Sequence, residues 1–514
     1  MVETTNKKTI AKNTIFLYFR MMFTMVVSLY TSRVVLEVLG IDDFGIYQTV
    51  GGIVAMLSFL NGALSTGSSR FLTFELGRND FEKLQRTFST VLNAHIILAI
   101  IIVLAAETGG LWFFYNKLVI PEDRMDAAAL AYHLSIFTAF FNITQVPYSA
   151  SIISHEKIGI YAYMSIIEAV LKLSVVYALL LGGVDKLKMY AILLCIVQVG
   201  IVLFYRYYCN KKFYETKYSF IWDKAILKDV LSYSGWNLFA NTAIALKNQG
   251  ATIMLNIFFS PAVVSARAIA NQVNMAANQF VQNFRTASNP QIVKNYAAGD
   301  FEASKKLLLT STTISYYLML ILCLPICLVT EDLLNLWLVD VPEYTVQFLQ
   351  LTIITSLFQV FDTSFYTALY AKGRIKENAL VSPTLGFIAF GVVYVLFRLG
   401  CSPMSLAWAL FIDYALLGLV VKPILIIKIV GYRWSDILTV FKPCFKVTMA
   451  SLTVPLLLYI NQDLLFSNSL LRFFTLVVIS VTCVAVSVWY LGIDVEVKVR
   501  IVEMFCKRLN IRRK

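Results

Sequence analysis

Four stretches of this chain run for 18 to 23 residues with at most one Lys, Arg, Asp or Glu each: Phe88–Ala106, Ala191–Tyr208, Leu307–Val329 and Leu470–Leu491. A helix rises about 1.5 Å per residue, so such lengths match the roughly 30 Å of hydrocarbon in a bilayer. Soluble domains carry about a quarter of their residues as Asp, Glu, Lys or Arg. Here the share is 15%, against 58% hydrophobic residues, in a chain of 514. The expected fold class is an all-α polytopic membrane protein. The polar, basic start MVETTNKKTIAKN leads into a long apolar segment with no short early apolar core or small-residue cleavage site. It is expected to stay as part of the first helix.

Helical spans are expected at about 13–37, 46–67, 88–107, 127–153, 159–182, 188–209, 231–258, 262–285, 306–329, 344–370, 379–399, 404–429, 443–461 and 469–491. That is about 14 transmembrane helices. With the N-terminus inside, 32 of the 44 Lys and Arg residues fall on the inner side. The outer loops hold four, Lys117, Arg124, Lys186 and Lys188, while acidic residues divide almost evenly. Basic residues set orientation, so both termini are expected in the cytoplasm. The net charge of +13 follows from this layout and calls for no nucleic acid.

A shift of 220 residues lays NDFEKLQRTFST (Asn79–Thr90) on GDFEASKKLLLT (Gly299–Thr310), and one of 217 lays Glu156–Ser165 on Gly373–Ser382. Six helices per repeat is an even number, so two parallel repeats are expected, followed by two C-terminal helices. The expected division is 1–209 for the first six-helix half, 210–230 for a cytoplasmic linker, 231–429 for the second half and 430–514 for the two extra helices and a basic tail. Paired halves of this kind suit a transporter that opens alternately to each side.

Ionisable groups inside a membrane are expensive and need an account. Glu168 and Lys172, and likewise Arg33 and Glu37, are spaced i,i+4 and are expected to pair on one helix face. Arg398, Lys422 and Arg472 lie near span ends and are expected to reach water as anchors. Arg20, Lys247 and Arg267 have no local partner. Arg20 shares a face with Asn13, Thr24 and Thr31, and Lys247 flanks a face bearing Ser234, Asn237, Asn241 and Asn248. Cations on such faces attract an anion, phosphate above all. The other reading pairs them with distant carboxylates, Asp362 or Asp413. These two either carry a coupling ion, H⁺ or Na⁺, or act as counter-ions.

Catalytic signatures are missing. His155-Glu156 lacks the second His of a zinc protease motif, no phosphate-cradling glycine loop is present, and the cysteines are scattered. No metal and no cofactor is expected, and the chain reads as a transporter rather than an enzyme.

The run VLEVLGIDDFGIYQTVGGIVAMLSFLNGALSTGSSRFLTFELGRND (Val35–Asp80) resembles the start of bacterial polysaccharide flippases of the Wzx type. The marks are an LG-x-x-x-FG-x-Y turn and a Ser-rich end to the second helix. HEKIGIYAYMSIIEAVLKL (His155–Leu173) resembles that family's loop into its fifth helix. The resemblance implies a flippase that moves oligosaccharide on undecaprenyl pyrophosphate from the cytoplasmic to the periplasmic leaflet of the inner membrane. The product would serve O-antigen, capsule or exopolysaccharide synthesis. It implies lipid-linked oligosaccharide, membrane lipid and polysaccharide polymerase machinery as partners. The same superfamily holds multidrug exporters of the MATE type and the lipid II flippase, so a cation-coupled small-molecule exporter is the alternative. A membrane-embedded glycosyltransferase or ligase is a third reading, weakened by short outer loops.

Within SARAIANQVNMAANQFVQNFR (Ser265–Arg285), Arg267, Asn271, Asn274, Asn278, Gln282 and Arg285 form one helical stripe. It spans roughly 27 Å at the helical rise. Two readings stay open: amide bonding between helices, or a polar track for a sugar headgroup with an Arg at each mouth.

Overall fold

In the computed structural model the described residues are 2–57, 80–228 and 245–493, less a few single positions, with isolated neighbours such as Glu75; side chains are described from Met21 onward. Helix follows helix: α1 Val2–Leu39, α2 Ile41–Leu57, α3 Phe81–Ala105, α4 Leu111–Lys117, α5 Met125–Ser154, α6 Ile158–Ala178 and α7 Lys186–Lys212. Then come α8 Ala251–Phe258, α9 Pro261–Ala297, α10 Phe301–Leu328, α11 Thr330–Trp337, α12 Thr345–Ala371, α13 Lys376–Arg398, α14 Met404–Leu416, α15 Lys422–Val430, α16 Trp434–Ile460, α17 Gln462–Leu465 and α18 Ser469–Ser487. Among the described residues, ten helical segments are long and apolar enough to cross a membrane. The Glu168–Lys172 pair lies on α6, and the polar stripe from Arg267 to Arg285 lies on α9. Of the expected spans, the first half of 231–258 and the second half of 46–67 lie outside the described residues.

Several helices begin earlier than their apolar stretch, because caps rather than hydropathy start a helix. The Asp80 carboxylate accepts the Lys83 N–H at 3.0 Å and starts α3 at Phe81. Asp300 does the same for α10 through Ala303 N–H, also at 3.0 Å. These two aspartates are the ones the 220-residue shift superimposes, so that match corresponds to one shared local geometry. Asp436 accepts the Arg433 N–H at 2.9 Å and starts α16 at Trp434, nine residues before the expected boundary.

The two glycines of the LG-x-x-x-FG turn serve different ends. Gly40 ends α1 in the left-handed region, φ 82°, where a side chain would be strained. Gly45 has ordinary geometry, but a Cβ there would sit 2.0 Å from the Pro261 carbonyl oxygen. α2 is thus seated directly against the first turn of α9, and the Ser265 hydroxyl donates to the Ile41 carbonyl at 2.6 Å.

The helices pack as two compact units. One comprises Met1–Ile269, Leu338–Tyr344 and Ala379–Leu406; the other comprises Ala270–Trp337, Thr345–Asn378 and Ala407–Lys514. In the first, α5 packs between α3 and α7, and Leu84, Phe88, Tyr148, Ile152 and Tyr205 form a buried core. The segment after α7 lies along α3. Gln85 and Asn93 side chains donate to the Lys217 and Ile221 carbonyls at 2.9 Å each, and Tyr218 donates to Asn93 at 2.8 Å. In the second unit, α10 packs against α12, α16 and α18 around Leu320, Phe361, Phe365 and Val440.

Candidate functional site

The stripe on α9 is one helix face, but its members have different surroundings. Arg267 is 7% exposed. Its guanidinium donates to the Asn248 carbonyl at 3.2 Å and to the Thr252 hydroxyl at 2.7 Å. Arg285, also 7% exposed, donates to the Thr363 carbonyl, and its Nε has no partner. Neither arginine forms an ion pair with a described carboxylate. Between them, Asn274 and Asn278 close a triangle with Ser356 of α12: Asn278 donates to Ser356 at 3.0 Å and to Asn274 Oδ1 at 3.1 Å, while Ser356 donates to Asn274 at 2.7 Å. Asn271 is half-buried and Gln282 exposed. The middle of the stripe therefore takes the amide-bonding arrangement, since buried amides need partners and Ser356 supplies one.

Lys247 and Asn248 stand on a π-helical turn, Leu246–Gly250, just before α8; Lys247 is half-buried and the Asn248 side chain exposed. Asn237 and Asn241 lie outside the described residues, as does the side chain of Arg20.

The expected anchor role of Lys422 is corrected by the structure. Its side chain is 3% exposed, and its ammonium meets Asp362 Oδ1 at 2.9 Å, a charge contact rather than an aligned hydrogen bond. The amide oxygen of Asn378 also receives it. The cause is local. Pro423 has no N–H to give a helical ladder, and the helix passes through a π-helical turn, Leu417–Val421, immediately before Lys422. Such a turn rotates the facing of the residues after it, and here it aims Lys422 at α12 instead of at water. Gly418 in that turn lets the backbone approach the Phe358 carbonyl, which a Cβ would meet at 2.5 Å. Asp362 is therefore the counter-ion of Lys422. Asp413 is buried and engaged. Arg472 too is no free anchor, since Asp332 binds it, Nε to Oδ2 at 3.0 Å.

In the first unit the Glu168–Lys172 pair forms as expected, at 2.7 Å. Gln198 donates to the same carboxylate oxygen at 2.8 Å. The expected pair of Arg33 with Glu37 does not form, though both side chains are described. Lys172 lines two cavities. One, of about 460 Å³, lies among α1, α2, α6 and α7 and is walled by Thr24, Thr31, Ser32, Gln48 and Glu168. The other, of about 390 Å³, lies among α2, α5, α6 and α7 and reaches Gln198 and Asn142. Spacing marked the α1 face with Thr24 and Thr31 as one that fits a wet cavity; that Gln48, Glu168 and Lys172 join it around that space was not legible along the chain.

Missed altogether was a cluster at the ends of helices. Arg124 binds Asp43 at 2.5 Å and Asp185 at 2.7 Å. Burial acts to raise the Asp185 carboxyl, but the Arg124 hydrogen bond and the Lys188 N–H outweigh it and hold the group below its ordinary value.

Residues 238–397 match the MatE family model. A solved structure of the lipid II flippase MurJ, in an inward closed conformation, is similar over 97% of this chain and 100% of its own, with TM-score 0.71 at 12% identity. This is the fold of the MOP transporter superfamily. An inward-facing multidrug resistance MATE transporter shares the MOP fold over 81% of this chain and 98% of its own, with TM-score 0.65 at 14% identity. A MOP superfamily transporter from Pyrococcus furiosus matches 82% of this chain and 96% of its own, with TM-score 0.58 at 15% identity. No curated protein matches the sequence. The chain shares the fold of these transporters and is a multi-pass membrane protein. The charged and amide groups inside the helices are the chemistry that this fold offers to a ligand.

Proposed function

We propose that this chain is a flippase for oligosaccharide linked to undecaprenyl pyrophosphate. It moves the unit by alternating access from the cytoplasmic to the periplasmic leaflet, in a bacterial inner membrane with both termini in the cytoplasm, for surface polysaccharide synthesis. The observation that carries the reading is the uncompensated positive charge within the helices. Among the described residues, Arg267 meets a carbonyl and a hydroxyl, Arg285 meets a carbonyl, and neither forms an ion pair. Cations in so apolar a setting stabilise an anion brought to them, and a lipid diphosphate is an anion that travels in a membrane. Arg20, Lys247, Arg267 and Arg285 are the cations assigned to it. Likeness to the lipid II flippase structure over nearly the whole chain, C-terminal helices included, supports the same reading.

The test deletes the gene and locates the lipid-linked glycan, which should accumulate on the cytoplasmic leaflet. Unchanged surface glycan and precursor, in a strain with no second flippase, would sink the proposal. A cation-coupled exporter is the second reading, favoured by the MatE match and by half-buried Asp362 and buried Asp413. It predicts drug efflux that depends on an H⁺ or Na⁺ gradient and on those aspartates.

A further inference from the structure

We infer that the 460 Å³ cavity among α1, α2, α6 and α7 is a sugar-reading site, with Glu168 and Lys172 as its polar centre. This rests on the flippase reading and adds to it the part of the cargo that is not phosphate.

The volume falls within the range of about 300–1,000 Å³ usual for small-molecule sites. The lining is unusual for helices in lipid: Thr24, Thr31 and Ser32 supply hydroxyls, Gln48 an amide, and Glu168 and Lys172 a charge pair. The pair carries no net charge, so the site selects neither an anion nor a cation. Lys172 beside the carboxylate further disfavours a metal or a sodium ion there.

What remains open on the pair is hydrogen-bonding capacity. Lys172 and Gln198 both bond to Glu168 Oε1, which leaves Oε2 as an acceptor. The ammonium keeps further N–H donors beyond the one given to Glu168. Both side chains stay accessible, 30% exposed for Glu168 and 39% for Lys172. The Thr31 hydroxyl is buried in the wall with no partner, and a bound polar group would supply one.

Neutral ligands that offer donors and acceptors in equal number and close spacing are polyols, above all sugars. A diphosphate fits poorly, because Glu168 repels it. A purely apolar drug fits poorly too, because it would strand the hydroxyls and the pair. Lys172 also lines the second cavity, whose wall carries Gln198 and Asn142.

The experiment uses the full chain in lipid nanodiscs and two probes, compared by native mass spectrometry. One is the undecaprenyl-pyrophosphate-linked oligosaccharide extracted from the source cells; the other is sugar-free undecaprenyl pyrophosphate. The wild type should prefer the glycosylated lipid. The double substitution Thr31→Val with Ser32→Ala, and separately Glu168→Gln with Lys172→Met, should each lower that preference about tenfold, as the loss of one or two ligand hydrogen bonds implies. Affinity for the sugar-free lipid should stay unchanged, which shows that the variants fold. Equal affinity of the wild type for both lipids, or an undiminished preference in both doubles, would overturn the sugar site and leave the flippase reading standing. Failure of the wild type to bind either lipid would overturn the flippase reading, and the sugar site with it.

Discussion

The stripe on α9 and the cavity wall of α1 and α6 are both polar surfaces on membrane helices, and they end in opposite states. α9 is the more polar in sequence, yet the middle of its stripe is closed: Asn274, Asn278 and Ser356 satisfy one another. The α6 pair looks like an ordinary i,i+4 bridge, yet it faces open space on two sides. Polarity within a span shows that a group needs a partner. It does not show whether that partner is protein or cargo.

The largest effect is expected at the seat of the closed helix. Gly45→Val places a side chain on the Pro261 carbonyl oxygen, a backbone atom with nowhere to retreat. Loss of folded protein from the membrane fraction is expected, whereas Gly51→Ala on the same helix, with open space around it, should be tolerated. Quantitative immunoblotting of detergent-extracted, monodisperse protein decides this.

Next in size is a matched pair of lysine substitutions. Lys422→Met leaves Asp362 buried without its pair, and breaking a buried ion pair costs about 3–5 kcal/mol. Lys172→Met removes a half-exposed pair worth about 0–1 kcal/mol. Thermal unfolding should separate them clearly. Transport should show the reverse pattern when normalised to folded protein: Lys172→Met impaired, Lys422→Met much less so. Equal destabilisation by both would erase the distinction between closed and open groups.

A smaller effect is expected at the closed triangle. Asn278→Leu should cost about 1 kcal/mol, the scale of an inter-helix hydrogen bond in membranes, and leave transport per folded molecule intact. Transport lost at unchanged stability would make the triangle part of the cargo path after all.

The smallest effect lies outside the spans, where water screens charge. The Asp185 carboxyl is held below its ordinary value of 3.8. A depressed acid stabilises the fold above its ordinary value, and that contribution is lost as pH falls through the folded-state value. The melting temperature of Asp185→Asn should therefore lie slightly below wild type at neutral pH, and the two should converge at strongly acid pH. A gap that widened on acidification would contradict the role given to Arg124.

Much of the fold was legible because its causes are local. Hydropathy marked most of the membrane segments, and the 220-residue shift set Asp80 on Asp300, which the structure shows as two equivalent N-caps, although the expected spans began later, at 88 and 306. Boundaries were missed where a cap sits outside the apolar stretch, as at Trp434. Of the candidate site, the face shared by Arg267, Asn271, Asn274, Asn278, Gln282 and Arg285 was readable from spacing, and so was the Glu168–Lys172 pair. Lys422 was misread because its distance from the span end suggested an anchor, and no count along the chain shows the π-helical turn that re-aims it.

Composition and a fixed helical period were enough to establish that this chain lives in a membrane, where most of its long helices run, and which polar groups share a face. Which of those groups are closed and which stay open was settled by how the helices pack. Ser356 meets Asn278, Lys422 meets Asp362 and Gly45 meets Pro261 across long stretches of chain. The space beside Glu168 exists because four separate helices leave it between them. A cavity is a property of what does not touch, and periodicity along one helix carries no record of it.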